Sequence, residues 1–98
     1  MRLVWEERAL SDLAARAEWS LPQATAVVES MERMADRGFS LGKPTDQPGV
    51  RYWPVPPLGV LYSVVGDELR VLRVVDIRRL RRAPWDSGPS SAADSGLI

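Results

Sequence analysis

The chain lacks cysteine and histidine altogether, and of its 13 basic residues only Lys43 is a lysine. Without cysteine there is no disulfide framework and no thiolate metal site; without histidine, imidazole acid–base catalysis and most zinc chemistry are excluded. Any catalysis would have to use Arg, Tyr, carboxylates or Lys43, and neither a metal nor another cofactor is expected. Long apolar runs are missing too. None approaches the ~20 residues that span a bilayer, and the opening MRLVWEERAL lacks the apolar centre of ~7–15 residues that a signal peptide needs. The expectation is a cytoplasmic protein with no membrane partner.

Ninety-eight residues, 45% of them hydrophobic, make one domain with a single core. The formal charge of zero hides a polarity. Residues 1–42 hold five Arg against seven acids, residues 43–82 hold seven Arg and one Lys against four acids, and the remainder adds two acids. The basic character therefore belongs to the second half. Its arginines suit planar, multidentate contacts with carboxylate or phosphate.

That half contains two apolar runs, Leu58–Val65 and Leu69–Ile77, separated by Gly66-Asp67-Glu68, with a shorter run at Val50–Val55 before them. Runs of this length, rich in Val, Leu and Tyr and punctuated by Gly and Pro, predict a three-stranded antiparallel meander. In the last strand Leu69, Val71, Val75 and Ile77 alternate to one side and Leu72 and Val74 to the other, which predicts a central strand apolar on both faces. Arg73 interrupts it. An unpaired guanidinium in a dry core costs several kcal/mol or more, so Arg73 must be paired or must emerge on an open face. The strand then runs into Asp76, Arg78, Arg79, Arg81 and Arg82. Such an exit is either built to meet something anionic or is a solvated strand end with an ion pair.

Before the meander, Leu3-Val4-Trp5 predicts a short first strand. Ala9, Leu10, Leu13, Ala14 and Ala17 recur at helical spacing, giving a helix over about residues 6–19 with Asp12 and Arg16 as an i,i+4 pair. Ser20 suits an N-cap, Pro22 the first turn, and Gln23 the position that completes a capping box. A second helix follows, carrying Ala24, Val27, Val28, Met31, Met34 and Ala35 on one face and stopping at Gly38. The two form a hairpin whose Met and Trp residues are assigned to core packing. Residues 39–49 read as a polar connection. The prolines around Val50–Val55 make that segment an edge strand, open to strand addition by a partner. Residues 83–98, dominated by Ser, Ala, Gly and Pro, read as a disordered tail after a folded domain of residues 1–82; Trp85 is its one large apolar side chain.

Strand, helix hairpin, meander and basic exit, in that order, resemble the RelE/ParE family of toxins of bacterial type II toxin–antitoxin systems. The resemblance covers residues 3 to 82. It is carried by LVWEERALSDL, the hairpin register, GVRYWPV, VLYSV with Tyr62, and LRVLRVVDIRR. It implies an α+β, two-layer β-α-α-β-β-β fold, the hairpin packed on an antiparallel sheet with the first strand beside the last, and an open sheet face where target and antitoxin compete. The last strand and its exit are expected to form the functional surface, with Arg73, Arg78 and Arg79 as principal contacts, Arg51 and Tyr62 as supports, and Asp76, Arg82 and Trp85 as further target or antitoxin contacts.

The sequence departs from the pattern of the ribosome-dependent nucleases in this family. Pro54 stands where a catalytic lysine is expected, Leu58-Gly59 replaces a common tyrosine-arginine pair, and Asp76 stands where many relatives have histidine. Arg51, Arg73, Arg78 and Arg79 remain as catalytic candidates if the chain is a metal-independent endoribonuclease. They supply charge stabilisation but no evident proton-transfer group. Three readings follow from the resemblance: a ParE-like growth inhibitor that binds DNA gyrase and is not an enzyme, a RelE-like nuclease that cleaves messenger RNA on the ribosome, and a degenerate member that only binds its antitoxin. In each the partner is a cognate antitoxin forming a hetero-oligomer. Its docking segment is expected to be acidic and disordered alone, and to bind as a helix or as a strand added at Val50–Val55.

Overall fold

The structure, a computed structural model, describes residues 1–38 and 41–79, the side chain of Arg79 excepted. The expected tail, Arg82 and Trp85 lie outside the described residues. The order is β1 (Arg2–Trp5), α1 (Glu7–Ala17), α2 (Leu21–Arg37), β2 (Lys43–Pro44), β3 (Arg51–Val55), β4 (Leu58–Val65), β5 (Glu68–Asp76) and a 3-10 turn at Ile77–Arg79. The five strands form one mixed sheet in the order β1-β5-β4-β3-β2, with β1 parallel to β5 and the other pairs antiparallel. The helix hairpin covers one face. This is the two-layer RelE/ParE-like arrangement expected, with the first strand beside the last, but the sheet is mixed rather than antiparallel because β1 runs parallel to β5, and β2 adds a fifth strand.

Periodicity explains both helices. Ala9 on α1 and Ala24, Val27, Met31, Met34 and Ala35 on α2 are buried, three to four residues apart on the face turned to the sheet. Pro22 sits in the first turn of α2, and Gly38 ends it at φ +76°, donating its N–H to Ala35 O at 3.1 Å. The capping box does not form. Ser20 makes no side-chain cap, and the Gln23 amide oxygen instead accepts from Arg16 Nη1 at 3.1 Å. Trp19 also departs from expectation: it is 62% exposed, its ring lying 4.2 Å from the Arg16 guanidinium carbon.

In the sheet, residues opposite one another share a face. Leu58, Val60 and Tyr62 of β4 therefore lie on the same side as Asp76, Val74 and Val71 of β5. Leu3 and Trp5 join that side through Leu69 and Val71, and Arg51, Trp53 and Val55 through Tyr62, Val60 and Leu58. This is the helix side. Leu58, Val60, Tyr62, Leu69, Val71 and Val74 pack there against Ala9, Val27, Met31 and Met34. Trp53 reaches α2, its Nε1 donating to Ser30 Oγ at 3.0 Å.

Three features of the sheet differ from the sequence reading, each for a local reason. Leu61 pairs with Arg73 but Tyr62 pairs with Val71, so Leu72 is an extra residue on β5, a β-bulge. Beyond it the alternation reverses, and Val74, not Val75, joins Leu69 and Val71 in the core. Second, β5 is central only along β1; past Trp5 its far side meets α1, where Val74 N–H donates to Asp12 Oδ2 at 2.9 Å. Third, residues 39–49 are not purely a connection. Lys43 and Pro44 pair with Tyr52 and Arg51, so β2 covers the start of β3 and takes the edge position expected of Val50–Val55.

Candidate functional site

The end of β5 collects the charges flagged in the sequence, and α1 supplies their partners. Asp12 and Arg16, one turn apart on α1, were expected to pair with each other. They pair across to β5 instead, with crossed polarity: Asp12 takes Arg73, and Arg16 takes Asp76. Arg73 Nε and Nη2 donate to Asp12 Oδ2 and Oδ1 at 2.8 and 3.2 Å. The bulge at Leu72 leaves Arg73 opposite Leu61 on the face away from the helices, and it meets Asp12 at the edge of β5 that α1 covers beyond the end of β1. This two-point hydrogen bonding raises the affinity of the guanidinium for its proton beyond the ordinary arginine value. The charge in mid-strand is thus both paired and at an edge.

Asp76 lies on the helix side, opposite Leu58, and is the hub of the exit. Arg16 Nη2 donates to its Oδ2 at 2.9 Å, and Arg78 Nη2 to the same oxygen at 3.0 Å. Its Oδ1 accepts from Arg78 N–H at 2.9 Å and from Arg78 Nε at 3.2 Å. The Arg16 and Asp76 side chains are 11% and 7% exposed, whereas Arg78 is 65% exposed. Hydrogen bonds from Arg78, then from Arg16, hold the carboxyl well below the usual carboxylate range, against the opposing effect of desolvation. A small cleft lined by Asp12, Arg16, Trp19, Leu58, Val74 and Asp76 opens beside these pairs. Along β5, Arg70 is similarly occupied, by Glu68 at 2.7 Å and Glu6 at 2.9 Å, and Glu68 also binds Arg2.

Arg51 and Tyr62 are brought together, but not at the exit. They face each other on β3 and β4 on the helix side. Tyr62 is four residues from Leu58 along β4, a distance of about 13 Å. Both bind Gly42. The fully buried Tyr62 hydroxyl accepts the Gly42 N–H at 2.7 Å, while Arg51 Nε and Nη2 donate to Gly42 O at 3.0 and 2.6 Å. A Cβ on Gly42 would lie 2.5 Å from the Tyr62 hydroxyl and 2.6 Å from Tyr52 O, so only glycine fits. Tyr62, expected as a support of the binding surface, is a core residue that anchors the segment leading into β2. Arg51 shares that task.

The site of the sequence reading thus divides. Asp76 and Arg78 meet at the exit, while Arg73 lies on the other face of the sheet and is tied to them only through Asp12 and Arg16, one turn apart on α1; Arg51 and Tyr62 form a structural knot elsewhere; the Arg79 side chain, Arg82 and Trp85 lie outside the described residues. Sequence reasoning missed Asp12 and Arg16 as members of the site. Their opposite charges one helical turn apart marked them as an ion pair, but that spacing points to each other and not to Arg73 and Asp76 on β5.

The strand order and the helix hairpin make this the RelE/ParE-like fold. No protein-family model and no curated protein matches the chain. Among solved structures it is similar to a chain of the chromosomal ParDE toxin–antitoxin system from P. aeruginosa. The two are 26% identical, the match covers 78% of this chain and 95% of that one, and the TM-score is 0.64. It is also similar to the RelBE2 toxin–antitoxin complex from Mycobacterium tuberculosis (22% identical, 76% and 95% covered, TM-score 0.59). The isolated RelE toxin of E. coli has the same fold (14% identical, 99% and 98% covered, TM-score 0.62). The fold and these neighbours together support assignment to the RelE/ParE family of toxins.

Proposed function

We propose that this chain is the toxin of a type II toxin–antitoxin pair and that it arrests growth by binding DNA gyrase rather than by cutting RNA. The observation that carries the reading is the pairing of the described candidate arginines, Arg51, Arg73 and Arg78. A nuclease of this kind needs cations free to stabilise a phosphate and a group to move a proton. Here Arg73 is committed to Asp12, Arg78 shares Asp76 with Arg16, and Arg51 is turned onto a backbone carbonyl on the helix side. Asp76, held far below the usual carboxylate range, stays ionised and cannot act as a general acid near neutral pH. What the exit does offer is a pre-ordered surface: an exposed Arg78 fixed in direction by Asp76, which itself lines the cleft together with Arg16 and Trp19. That arrangement suits recognition of another protein. The likeness to the ParDE chain is in keeping with this reading, and the likeness to the RelBE2 complex supports a cognate antitoxin as the partner that holds the toxin inactive.

The test adds the purified chain to DNA gyrase in a supercoiling assay and, in parallel, to ribosomes programmed with messenger RNA. Inhibition of supercoiling with intact message is expected. Cleaved message with unimpaired gyrase would establish the nuclease reading instead. Tight antitoxin binding with neither effect would identify a member that has lost its target.

A further inference from the structure

The two edges of the sheet are not equivalent. On β3, Val50 O accepts from Thr45 N–H at 3.0 Å and Tyr52 faces Lys43, so the outward backbone groups of this strand belong to Val50, Tyr52 and Pro54. The first two are covered by β2 and its turn, and Pro54 has no N–H to offer. A cover and a proline together close this edge to strand addition.

The β1 edge has neither a covering strand nor a proline; of its outward backbone groups only Met1 is engaged among the described residues, its ammonium donating to Ala35 O of α2 at 2.9 Å and placing one positive charge at that end. Arg2 N–H donates to Asp67 O at 2.8 Å and Glu6 N–H to Val71 O at 2.9 Å. Alternation then turns the backbone of Arg2, Val4 and Glu6 toward β5 and that of Leu3 and Trp5 outward. Since β1 ends the strand order, no strand pairs with Leu3 or Trp5 on that side among the described residues.

Beyond this edge lies a groove of about 480 Å³ between β1 and α2, bounded by Met1, Leu3, Trp5, Glu32, Ala35 and Asp36. Leu3 and Trp5 give it an apolar side. The opposite side carries Glu32 and Asp36, exposed and one helical turn apart. Like charges at this spacing weaken a helix. Glu6, Asp12, Glu68 and Asp76 each have an arginine partner, whereas Glu32 and Asp36 are in no ion pair among the described residues.

We propose that the β1 edge is a docking site for an extended segment of another protein, which adds as a sixth strand and carries Lys or Arg at the alternate positions facing α2. Backbone pairing with Leu3 and Trp5 supplies the register, and the two carboxylates select the charge. A second copy of this chain does not fit: two-fold pairing of β1 edges would bring Glu32 and Asp36 of both copies toward one another. The inference rests on the edge and the groove and does not depend on the toxin reading.

The test uses the full chain and two capped eight-residue peptides, one alternating Lys with Val and one alternating Glu with Val. Hydrogen exchange at the Leu3 and Trp5 amides is followed by NMR, and affinity by titration. The Lys peptide is expected to slow exchange at those two amides, with added salt weakening its binding. The E32Q/D36N variant, altered only at exposed positions, should bind it roughly fivefold more weakly, with thermal stability unchanged or slightly raised because a like-charge i,i+4 pair is removed. Equal binding of the Glu peptide, full affinity in E32Q/D36N, or protection at Tyr52 instead would overturn the proposal. So would protection of Leu3 and Trp5 without peptide, accompanied by concentration-dependent dimerisation, which would identify a second copy as the occupant.

Discussion

Replacing Tyr62 by Phe removes one oxygen from the core and leaves its shape otherwise intact. The cost follows from what that oxygen holds. It accepts the buried Gly42 N–H at 2.7 Å. Leaving a buried backbone donor unsatisfied costs ~1–3 kcal/mol. Relaxation toward water is restricted: Gly42 has no room even for a Cβ, and Arg51 grips its carbonyl oxygen. A loss of about 2 kcal/mol is therefore expected, equivalent to about 8–16 °C in Tm for a domain near this size. Urea unfolding followed by tryptophan fluorescence measures it, with the slope against denaturant unchanged if only stability is affected. A loss below ~0.5 kcal/mol, the range of ordinary surface changes, would refute the reasoning. If such a variant had also lost growth inhibition, Tyr62 would be a target contact after all.

Three further outcomes are expected. Asp12→Ala removes the acceptor of both Arg73 and the Val74 N–H, so it should destabilise by ~1–2 kcal/mol and by more than Arg73→Ala, measured by urea unfolding of both variants. Asp76 and Glu68 are both held below their ordinary values, by Arg78 and Arg16 and by Arg70 and Arg2. The unfolded chain then takes up protons first as pH falls; stability from these groups is complete above about pH 5 and is lost through the ordinary carboxylate range toward the folded values. Asp76→Asn should flatten that loss, as seen in Tm against pH, and the two proteins should converge in acid. Gly38→Ala, at φ +76° in open space, should cost about 1 kcal/mol of backbone strain with no steric contribution, read as a shift in urea midpoint.

Much of the fold was legible because local rules and tertiary packing agree. The 3.6-residue spacing of Ala24, Val27, Met31 and Met34, Gly38 as the stop, and the Gly66-Asp67 turn each point to the observed element. The bulge was hidden because residues 71–75 are apolar on either parity except at Arg73, so pattern alone does not fix which of Val74 and Val75 turns inward. β2 was hidden because a two-residue strand containing Pro44 carries no periodicity. Arginine at the exit was legible as composition, but its pairing was not. Whether Asp12 meets Arg16 or Arg73 depends on where α1 crosses β5, which no local spacing encodes. Tyr62 shows the same limit: a tyrosine on an apolar strand reads equally as contact or core until Gly42 is found against its hydroxyl.

The central claim is that the exit of β5 is a recognition surface for a target in DNA replication. Its most direct test is pulse labelling of cells induced for the chain or for its R78A/R79A variant, with thymidine and an amino acid as parallel labels. The native chain is expected to stop thymidine incorporation while protein synthesis continues, and the variant, equally abundant and folded, to stop neither. Protein synthesis collapsing first, or undiminished arrest by R78A/R79A, would contradict it.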